Sequence, residues 1–218
     1  MAWEAVADAA GVCDGSGLLD LGCGDGAFCA YAARRGAAVH GVDADPDAVA
    51  TALERAPGGD FRLAMMESLP WDDAAFDVVT AFNALQYALD PEAALIEAAR
   101  VSRVDGRIAV CKWGPPASNE FFGFLMALGA NGVRADALPA TDPVEDAIHA
   151  TRLDVLATGD VAAPIVMADD EALAASLRHA GVAFATTSVT VAAAPFRRAD
   201  GTYEFDNRQR YWILGRPR

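Results

Sequence analysis

The residues best suited to chemistry lie in one short run near the start of the chain, Leu18-Leu19-Asp20-Leu21-Gly22-Cys23-Gly24-Asp25-Gly26. Apolar residues typical of a strand lead into closely spaced glycines, and a helical pattern follows. Such glycines let the backbone turn sharply beside a ligand, and a helix N-terminus presents unpaired amide groups. Asp43 ends the next apolar run about 20 residues later, where a carboxylate can accept both ribose hydroxyls. The pattern therefore indicates a nucleoside-containing ligand.

A second acid narrows the class of that ligand. Taken alone, Gly22, Gly24 and Ala27 also fit the Gly-x-Gly-x-x-Ala fingerprint of dinucleotide-binding domains. Asp20 lies two positions before the first glycine, where a carboxylate would repel a pyrophosphate but attract an ammonium or a sulfonium. Lys112 is the sole lysine, so the chain has no Tyr-x-x-x-Lys pair. These residues favour a positively charged adenosyl ligand over a nicotinamide dinucleotide.

Alternating apolar runs and helical patterns predict β-α units on a parallel sheet. Five strands are predicted first, at Gly17–Leu21, Ala37–Val42, Asp60–Ala64, Phe76–Ala81 and Arg107–Cys111. A helix over 169–180 and two further strands, Val182–Ala194 and Tyr203–Gly215, follow later in the chain. Residues 114–168 break the rhythm with turn formers, acids and an apolar helical patch, and we interpret them as a mainly helical insertion over one edge of the sheet.

The first half of the chain resembles the class I S-adenosylmethionine-dependent methyltransferases. The run Leu19–Gly26 resembles their first motif, and Gly41-Val42-Asp43 resembles the acidic end of their second strand. Leu69-Pro70-Trp71 with Phe76-Asp77-Val78-Val79, and Glu97–Val101 leading to Gly106-Arg107, resemble the segments around the fourth and fifth strands. The resemblance covers roughly residues 11–113 in order and is only architectural beyond them.

The resemblance implies a doubly wound, Rossmann-like α/β domain over residues 1–218, with a seven-stranded sheet whose last strand is antiparallel. It implies that the insertion at 114–168 covers the substrate. It also implies S-adenosylmethionine as cofactor, with Asp20 and the backbone of Gly22, Cys23 and Gly24 at the methionine part. Asp43 would bind the ribose hydroxyls, with Ala44 beside the adenine and with Asn83 and Ala84 near the sulfonium.

The chain departs from the family pattern at the predicted adenine edge. Met65 stands four residues before Leu69, where the family commonly has an acid. Because a thioether is a weak acceptor, we expect Met65, with its neighbour Met66, to pack on the adenine ring, and Glu67 to be an alternative acceptor.

Substrate contacts are predicted at Tyr87, Trp113 and Phe121, and ordinary packing is the alternative interpretation for Tyr87 and Phe121. Methyl transfer needs mainly alignment and desolvation, plus a general base for some nucleophiles. His149 in the insertion is the candidate base; a surface histidine on an acidic helix is the alternative interpretation. Cys23 suits the turn as a small residue.

Composition excludes several partners. The formal net charge is −14, which disfavours nucleic acid and anionic membranes. No apolar run reaches membrane-spanning length. Four cysteines without a Cys-x-x-Cys pair, and three histidines without ligand spacing, predict neither a disulfide framework nor a metal site. We expect a cytoplasmic protein, and its oligomeric state is left open.

The predicted function is methyl transfer to an oxygen or nitrogen of a small, apolar or aromatic molecule. One alternative is a protein of the same fold that binds S-adenosylmethionine or S-adenosylhomocysteine but catalyses another reaction. A nicotinamide-dependent oxidoreductase and a protein-binding module that merely keeps the fold are the others.

Overall fold

The structure, a computed structural model, describes residues 2–128, 142–179 and 186–217. The strands are Gly17–Leu21 (β1), Ala38–Asp43 (β2), Asp60–Leu63 (β3), Phe76–Phe82 (β4), Ser102–Trp113 (β5), Asp154–Ala162 (β6), Ile165–Met167 (β7), Tyr203–Phe205 (β8) and Arg208–Gly215 (β9). The helices are Ala2–Ala10 (α1), Ala27–Arg34 (α2), Pro46–Arg55 (α3), Pro91–Val101 (α4), Glu120–Ala127 (α5), Pro143–Ala150 (α6), Asp170–His179 (α7) and Thr186–Ala193 (α8). None of these helices is long and apolar enough to cross a membrane.

The chain divides into two units, and the first holds the main sheet. It comprises Met1–Lys112, Thr141–Val161 and Arg210–Arg218. The seven strands lie in the order β3-β2-β1-β4-β5-β9-β6. β1 pairs in parallel with β2 on one side and β4 on the other, and an antiparallel strand lies near the end of the order. This confirms the predicted Rossmann-like fold.

The sheet order places a crevice beside β1. The chain leaves β1 toward β2 on one side and returns to β4 on the other, so the connections diverge at the carboxyl ends of β1 and β4. In open α/β sheets ligands bind at such a point. The glycine turn after β1 and Asp43 at the end of β2 both lie at that end of the sheet.

Local sequence explains the helices that flank this crevice. Asp45 precedes α3 and its carboxylate accepts a hydrogen bond from the Asp47 amide at 2.9 Å. Asp90 caps α4 in the same way, accepting from the Ala93 amide at 3.0 Å. In both helices a proline follows the cap, where its fixed φ suits the first turn and no amide is lost.

Apolar side chains cover both faces of the sheet. One core contains Leu18, Phe28 and Val39, and the other contains Leu19, Leu95 and Ile148. Because Leu18 and Leu19 are successive residues of β1, they point to opposite faces, as expected for a strand buried on both sides.

The second unit comprises Trp113–Ala140 and Ala162–Gln209. In it β7 pairs with β8 in antiparallel fashion. Its own core is built around Phe124, Tyr203 and Phe205, which are almost completely buried.

The later elements differ from the sequence predictions in three respects. The part of Val182–Ala194 that the structure describes is the helix α8, not a strand, because Val189 and Ala193, one helical turn apart, bury their side chains in the core of the second unit. The strand predicted at Tyr203–Gly215 is two strands in different sheets, since β8 pairs with β7 and β9 joins the main sheet.

The third difference is β6, a strand of the main sheet that lies inside the segment 114–168. The prediction of a mainly helical insertion is wrong over these residues. β6 ends the strand order and most of its side chains are exposed, so it lacks the apolar run that marks a buried strand. Residues 129–141 of the predicted insertion and 180–185 lie outside the described residues. A substrate-covering insertion in a single domain stays a prediction.

Candidate functional site

A cavity of about 360 Å³ opens at the carboxyl ends of β1, β2 and β4. The residues that line it are Gly22, Val42, Asp43, Ala44, Ala64, Met65, Met66, Glu67, Asn83, Ala84, Tyr87 and Ala88. All of them belong to the first unit. A larger and more open depression of about 580 Å³ lies at the opposite ends of the strands, around Ser16, Asp77 and Asp105, and lacks the glycine turn.

The floor of the cavity depends on Gly22. Its φ is +62°, and a Cβ at this position would lie 2.6 Å from the Cβ of Ala84. Glycine is therefore required both by the left-handed backbone and by the close approach of the segment after β4. The amide of Cys23 donates a 2.9 Å hydrogen bond to the carbonyl of Val42, which ties the turn to β2.

Asp43 fixes the turn from the side of β2. One carboxylate oxygen accepts from the Gly24 amide at 2.8 Å, and the other accepts from the Asp45 amide at 3.0 Å. A carboxylate has about four lone-pair positions, so each oxygen can still accept a further hydrogen bond. Since Asp43 lines the cavity and is only half-buried, it can accept hydrogen bonds from the hydroxyl groups of a ligand there.

Two further acceptors in the cavity wall have no partner. Glu67 accepts from the Leu89 amide at 2.7 Å with Oε1, while its Oε2 is buried without a hydrogen bond. Asn83 has a φ of +50°, and its Oδ1 is also buried without a hydrogen bond. A buried acceptor without a donor is costly, and a ligand with N–H or O–H groups would remove that cost.

The remaining wall is apolar or aromatic. Met65 is 41% exposed and Tyr87 is 79% exposed, so both present surface at the mouth of the cavity. Among the described lining residues there is no Lys, Arg or His. The cavity thus offers acceptors and apolar surface, and no cation for a phosphate.

Asp20 lies below the turn and does not line the cavity. It is 3% exposed, and the Thr80 hydroxyl donates a 2.6 Å hydrogen bond to its Oδ1. The Cys29 thiol lies 3.9 Å from Oδ2. Burial raises the pKa of Asp20 to about 7; the Thr80 hydrogen bond opposes this rise and the charge of Asp43 adds to it. Asp20 is thus buried beneath the turn, and its predicted contact with the methionine part of the cofactor stays a prediction.

Cys23 has the small, buried environment expected of a packing residue. It is 6% exposed, and burial together with the charge of Asp20 raises the pKa of its thiol well above the ordinary value. A thiol in that state is not a nucleophile at neutral pH.

The structure brings most of the predicted site residues together. Nine of them line the cavity: Gly22, Asp43, Ala44, Met65, Met66, Glu67, Asn83, Ala84 and Tyr87. Gly24 joins them through its hydrogen bond to Asp43. Sequence reasoning missed Thr80, whose only signal is a hydroxyl residue within the buried apolar stretch Val78–Ala81 of β4.

The predicted catalytic residue and two of the three predicted substrate residues do not line the cavity. His149 is exposed in the last turn of α6 and does not line the cavity. Trp113, at the end of β5, and Phe121 belong to the second unit. Phe121 packs there against Phe205, with ring centroids 5.1 Å apart. Their predicted roles stay predictions.

Comparison with known proteins adds independent evidence. Residues 19–110 match the family model described as a methyltransferase domain. The chain is 35% identical over 109 residues to a demethylmenaquinone methyltransferase of Tropheryma whipplei, covering 49% of this chain and 45% of that protein. It is 35% identical over 103 residues to a ubiquinone biosynthesis O-methyltransferase of Maricaulis maris, covering 45% of this chain and 40% of that protein. The chain thus spans less than half the length of these curated relatives.

Solved structures share the fold over nearly the whole chain. A putative methyltransferase from Bacillus halodurans matches with a TM-score of 0.68 and 14% identity, covering 99% of both chains. The [4+2]-cyclase SpnF matches with a TM-score of 0.65 and 21% identity, covering 99% of this chain and 80% of that one.

These findings agree with the resemblance that the sequence motifs indicate: residues 19–110 match a methyltransferase domain, and the chain shares its fold with a solved putative methyltransferase. The cavity fits the family's cofactor, which has an ammonium, a ribose diol and an adenine amino group as donors and a positively charged sulfonium. The cavity lining offers acceptors for such donors in the carboxylate of Asp43 and the unpartnered oxygens of Glu67 and Asn83. Gly22 lies where the segment after β4 comes closest to the turn.

Proposed function

We propose that this protein binds S-adenosylmethionine in the cavity beside the glycine turn and transfers its methyl group to an oxygen or nitrogen of a small molecule. The observation that carries the proposal is the chemistry of the lining. It combines acceptor oxygens with a glycine floor and contains no basic side chain among the described residues. A pyrophosphate would find no cation there, whereas a sulfonium and an ammonium would find only favourable partners.

Each part of the lining has an assigned task. Asp43 accepts the ribose hydroxyls, and the turn at Gly22 admits the methionine part close to the backbone. Asn83, with its unpartnered Oδ1, accepts a donor of the cofactor on the side of β4. When bound, the cofactor supplies a methyl group on an electrophilic sulfonium, which a nucleophile displaces in line. The chain then has to align that nucleophile and exclude water.

The adenine end is proposed to rest on Met65 and Met66. Both thioether side chains line the cavity, and sulfur packs well against aromatic rings. Glu67 is the acceptor for the adenine amino group in this proposal, because its Oε2 is buried and unpartnered while Oε1 is held by the Leu89 amide.

The acceptor molecule is proposed to be apolar or aromatic. Tyr87 presents an exposed ring at the cavity mouth, and Leu89 beside it is 85% exposed. Two of the curated relatives are named for demethylmenaquinone and for ubiquinone biosynthesis, and quinones belong to this chemical class. We keep Trp113 and Phe121 as substrate residues, and His149 as the general base, within this proposal.

A second function has one observation in its favour. No described lining residue is a histidine or lysine that could remove a proton from a nucleophile. A protein of this fold that binds the cofactor without methyl transfer fits that lining, and the solved neighbours include a protein named as a cyclase.

Radiolabelled methyl transfer separates these two functions. The protein is first titrated with S-adenosylmethionine by calorimetry, and then incubated with methyl-labelled cofactor and a panel of phenols, hydroquinones, aromatic amines and carboxylic acids. Label in an organic extract supports the proposal, and at a cofactor concentration below the dissociation constant the Asp43→Ala control should incorporate about tenfold less label. Binding without transfer to any member of the panel favours the second function.

The cellular setting belongs to the proposal as well. We place the protein in the cytoplasm with a small-molecule substrate, and its net charge of −14 supports the absence of nucleic acid and anionic membrane partners.

A further inference from the structure

A buried pair beneath the glycine turn joins β1 to β4. Asp20 and Thr80 are opposite each other in the parallel register and are 3% and 0% exposed. The Thr80 hydroxyl lies 2.6 Å from Asp20 Oδ1 but 3.5 Å from its other acceptor, the carbonyl of Leu19. The Cys29 thiol, a weak donor, reaches Oδ2 at 3.9 Å. Thr80 therefore supplies the strongest hydrogen bond that the described residues give this carboxyl group.

The charges around Asp20 make that hydrogen bond important. From β2, Asp43 adds a like charge, and α2 contributes only the neutral Cys29. The turn contributes Cys23, whose thiol also stays neutral. Among the residues that the structure describes, Asp20 forms no ion pair. Because burial raises the pKa of this carboxyl to about 7, its charge near neutral pH depends on what its few partners donate.

We propose that Thr80 is a positioning residue for cofactor binding: its hydroxyl donates to Asp20 beneath the turn and favours the ionised form of this carboxyl, and in the molecules that still carry the proton the arrival of the positively charged cofactor displaces it into solvent. Asp20 acts without touching the cavity, through the turn that begins two residues later at Gly22. A charge in a low-dielectric interior attracts an opposite charge more strongly than the same charge in water does. The inference rests on the proposed function, which supplies the cation.

Substitutions at position 80 separate the hydroxyl from the shape of the side chain. Thr80→Val keeps the branched shape and removes the donor, whereas Thr80→Ser keeps the donor. Cys29→Ala is the matched control, since it removes the weaker donor to the same carboxyl group. We expect the affinity for S-adenosylmethionine to rise with pH in the wild type as Asp20 ionises. Calorimetric titrations at about one-unit steps between pH 6 and 9 follow that rise. The steps match the spread of about one unit that aspartate pKa values show in folded proteins.

The expected results differ between the variants. In Thr80→Val the rise moves upward by about one pH unit, so affinity falls about tenfold at pH 6 and about fivefold at pH 7, as loss of a hydrogen bond to a charged group implies. Thr80→Ser and Cys29→Ala stay within about threefold of the wild type. A loss in Thr80→Val that is equal at every pH would show a merely structural role and overturn the inference.

A titration of the free protein tests the pair without any cofactor. Carbon-13 NMR of the aspartate carboxyls, with the Asp20 signal assigned through Asp20→Asn, gives the midpoint in each variant. Thr80→Val should raise it by about one unit relative to Thr80→Ser. If valine prevents folding, Thr80→Cys keeps a weaker donor and should give a smaller rise. An unchanged midpoint overturns the inference. A wild type that binds no S-adenosylmethionine refutes the proposed function, while a raised midpoint still upholds control of Asp20 by Thr80.

Discussion

Replacing Gly22 by alanine tests whether the glycine turn forms the floor of the site. Gly22 has a φ of +62°, and the added Cβ would lie 2.6 Å from the Cβ of Ala84. The left-handed conformation costs a residue with a Cβ about 1–2 kcal/mol. Ordinary carbon contacts are about 3.5–4.0 Å, so the Ala84 segment must move by about 1 Å, an overpacking that costs about 1–3 kcal/mol. We therefore expect Gly22→Ala to lower the free energy of unfolding by about 2–5 kcal/mol.

Gly24→Ala is the matched control, because Gly24 lies in the same turn with a φ of +52° but has no atom within 4 Å of the added Cβ. It should lose only the conformational part, about 1–2 kcal/mol. Urea unfolding followed by circular dichroism measures both losses. The second variant Gly22→Ala/Ala84→Gly removes the clash and should return stability to the level of Gly24→Ala.

The Gly22→Ala substitution should also lower the affinity for the cofactor, because it changes the floor of the cavity. In Gly22→Ala the methyl group and the shifted Ala84 segment narrow the cavity, and we expect affinity for S-adenosylmethionine to fall by about tenfold or more, or about 1.4 kcal/mol. Calorimetric titration of folded protein measures this loss. Equal stability and equal affinity in Gly22→Ala and Gly24→Ala would refute the reasoning, because the two glycines would then differ in nothing that matters.

Four further predictions test other parts of the structure. Asp43→Ala should weaken binding of S-adenosylmethionine about tenfold or more, through loss of a charge-assisted hydrogen bond, and an unchanged dissociation constant by calorimetry would remove its assigned role. Arg100 donates to the carbonyls of Leu69 and Trp71 and pairs with Glu97, so Arg100→Ala should cost about 2–3 kcal/mol in urea unfolding, whereas the exposed control Arg178→Ala should cost at most about 0.5 kcal/mol. The Arg100 hydrogen bonds hold the pKa of Glu97 below its ordinary value, so the ionised Glu97 contributes fully to stability at neutral pH. That contribution is lost as the pH falls below about 4, and the loss should be absent from the acid limb of the stability profile of Glu97→Gln. His149→Ala should lower turnover with cofactor affinity unchanged, and wild-type turnover would show that this exposed histidine is not the base.

The glycine turn and its acid could be predicted from the sequence because local residues determine them. Gly22 is required by its own backbone angle, and Asp43 is the last residue of its strand. Their meeting at one cavity follows from the parallel order of β1 and β2. Met65 could likewise be placed, since its position is set by the loop after β3.

The later elements depend on tertiary contacts that sequence patterns do not record. β6 is an exposed strand at the end of the sheet order, so no apolar period marks it. The β-branched residues of α8 favour a strand locally, but the burial of Val189 in the second unit selects a helix. The contact of Thr80 with Asp20 depends on the β1–β4 register, which the sequence around Thr80 does not reveal.

The most direct test of the central claim is a calorimetric titration of the wild-type protein with S-adenosylmethionine, with NADH titrated in parallel. The acceptor-lined cavity predicts saturable binding of S-adenosylmethionine to one site per chain and no heat from NADH. Saturable binding of NADH, or no binding of S-adenosylmethionine at pH 8, would contradict the assignment of the cavity.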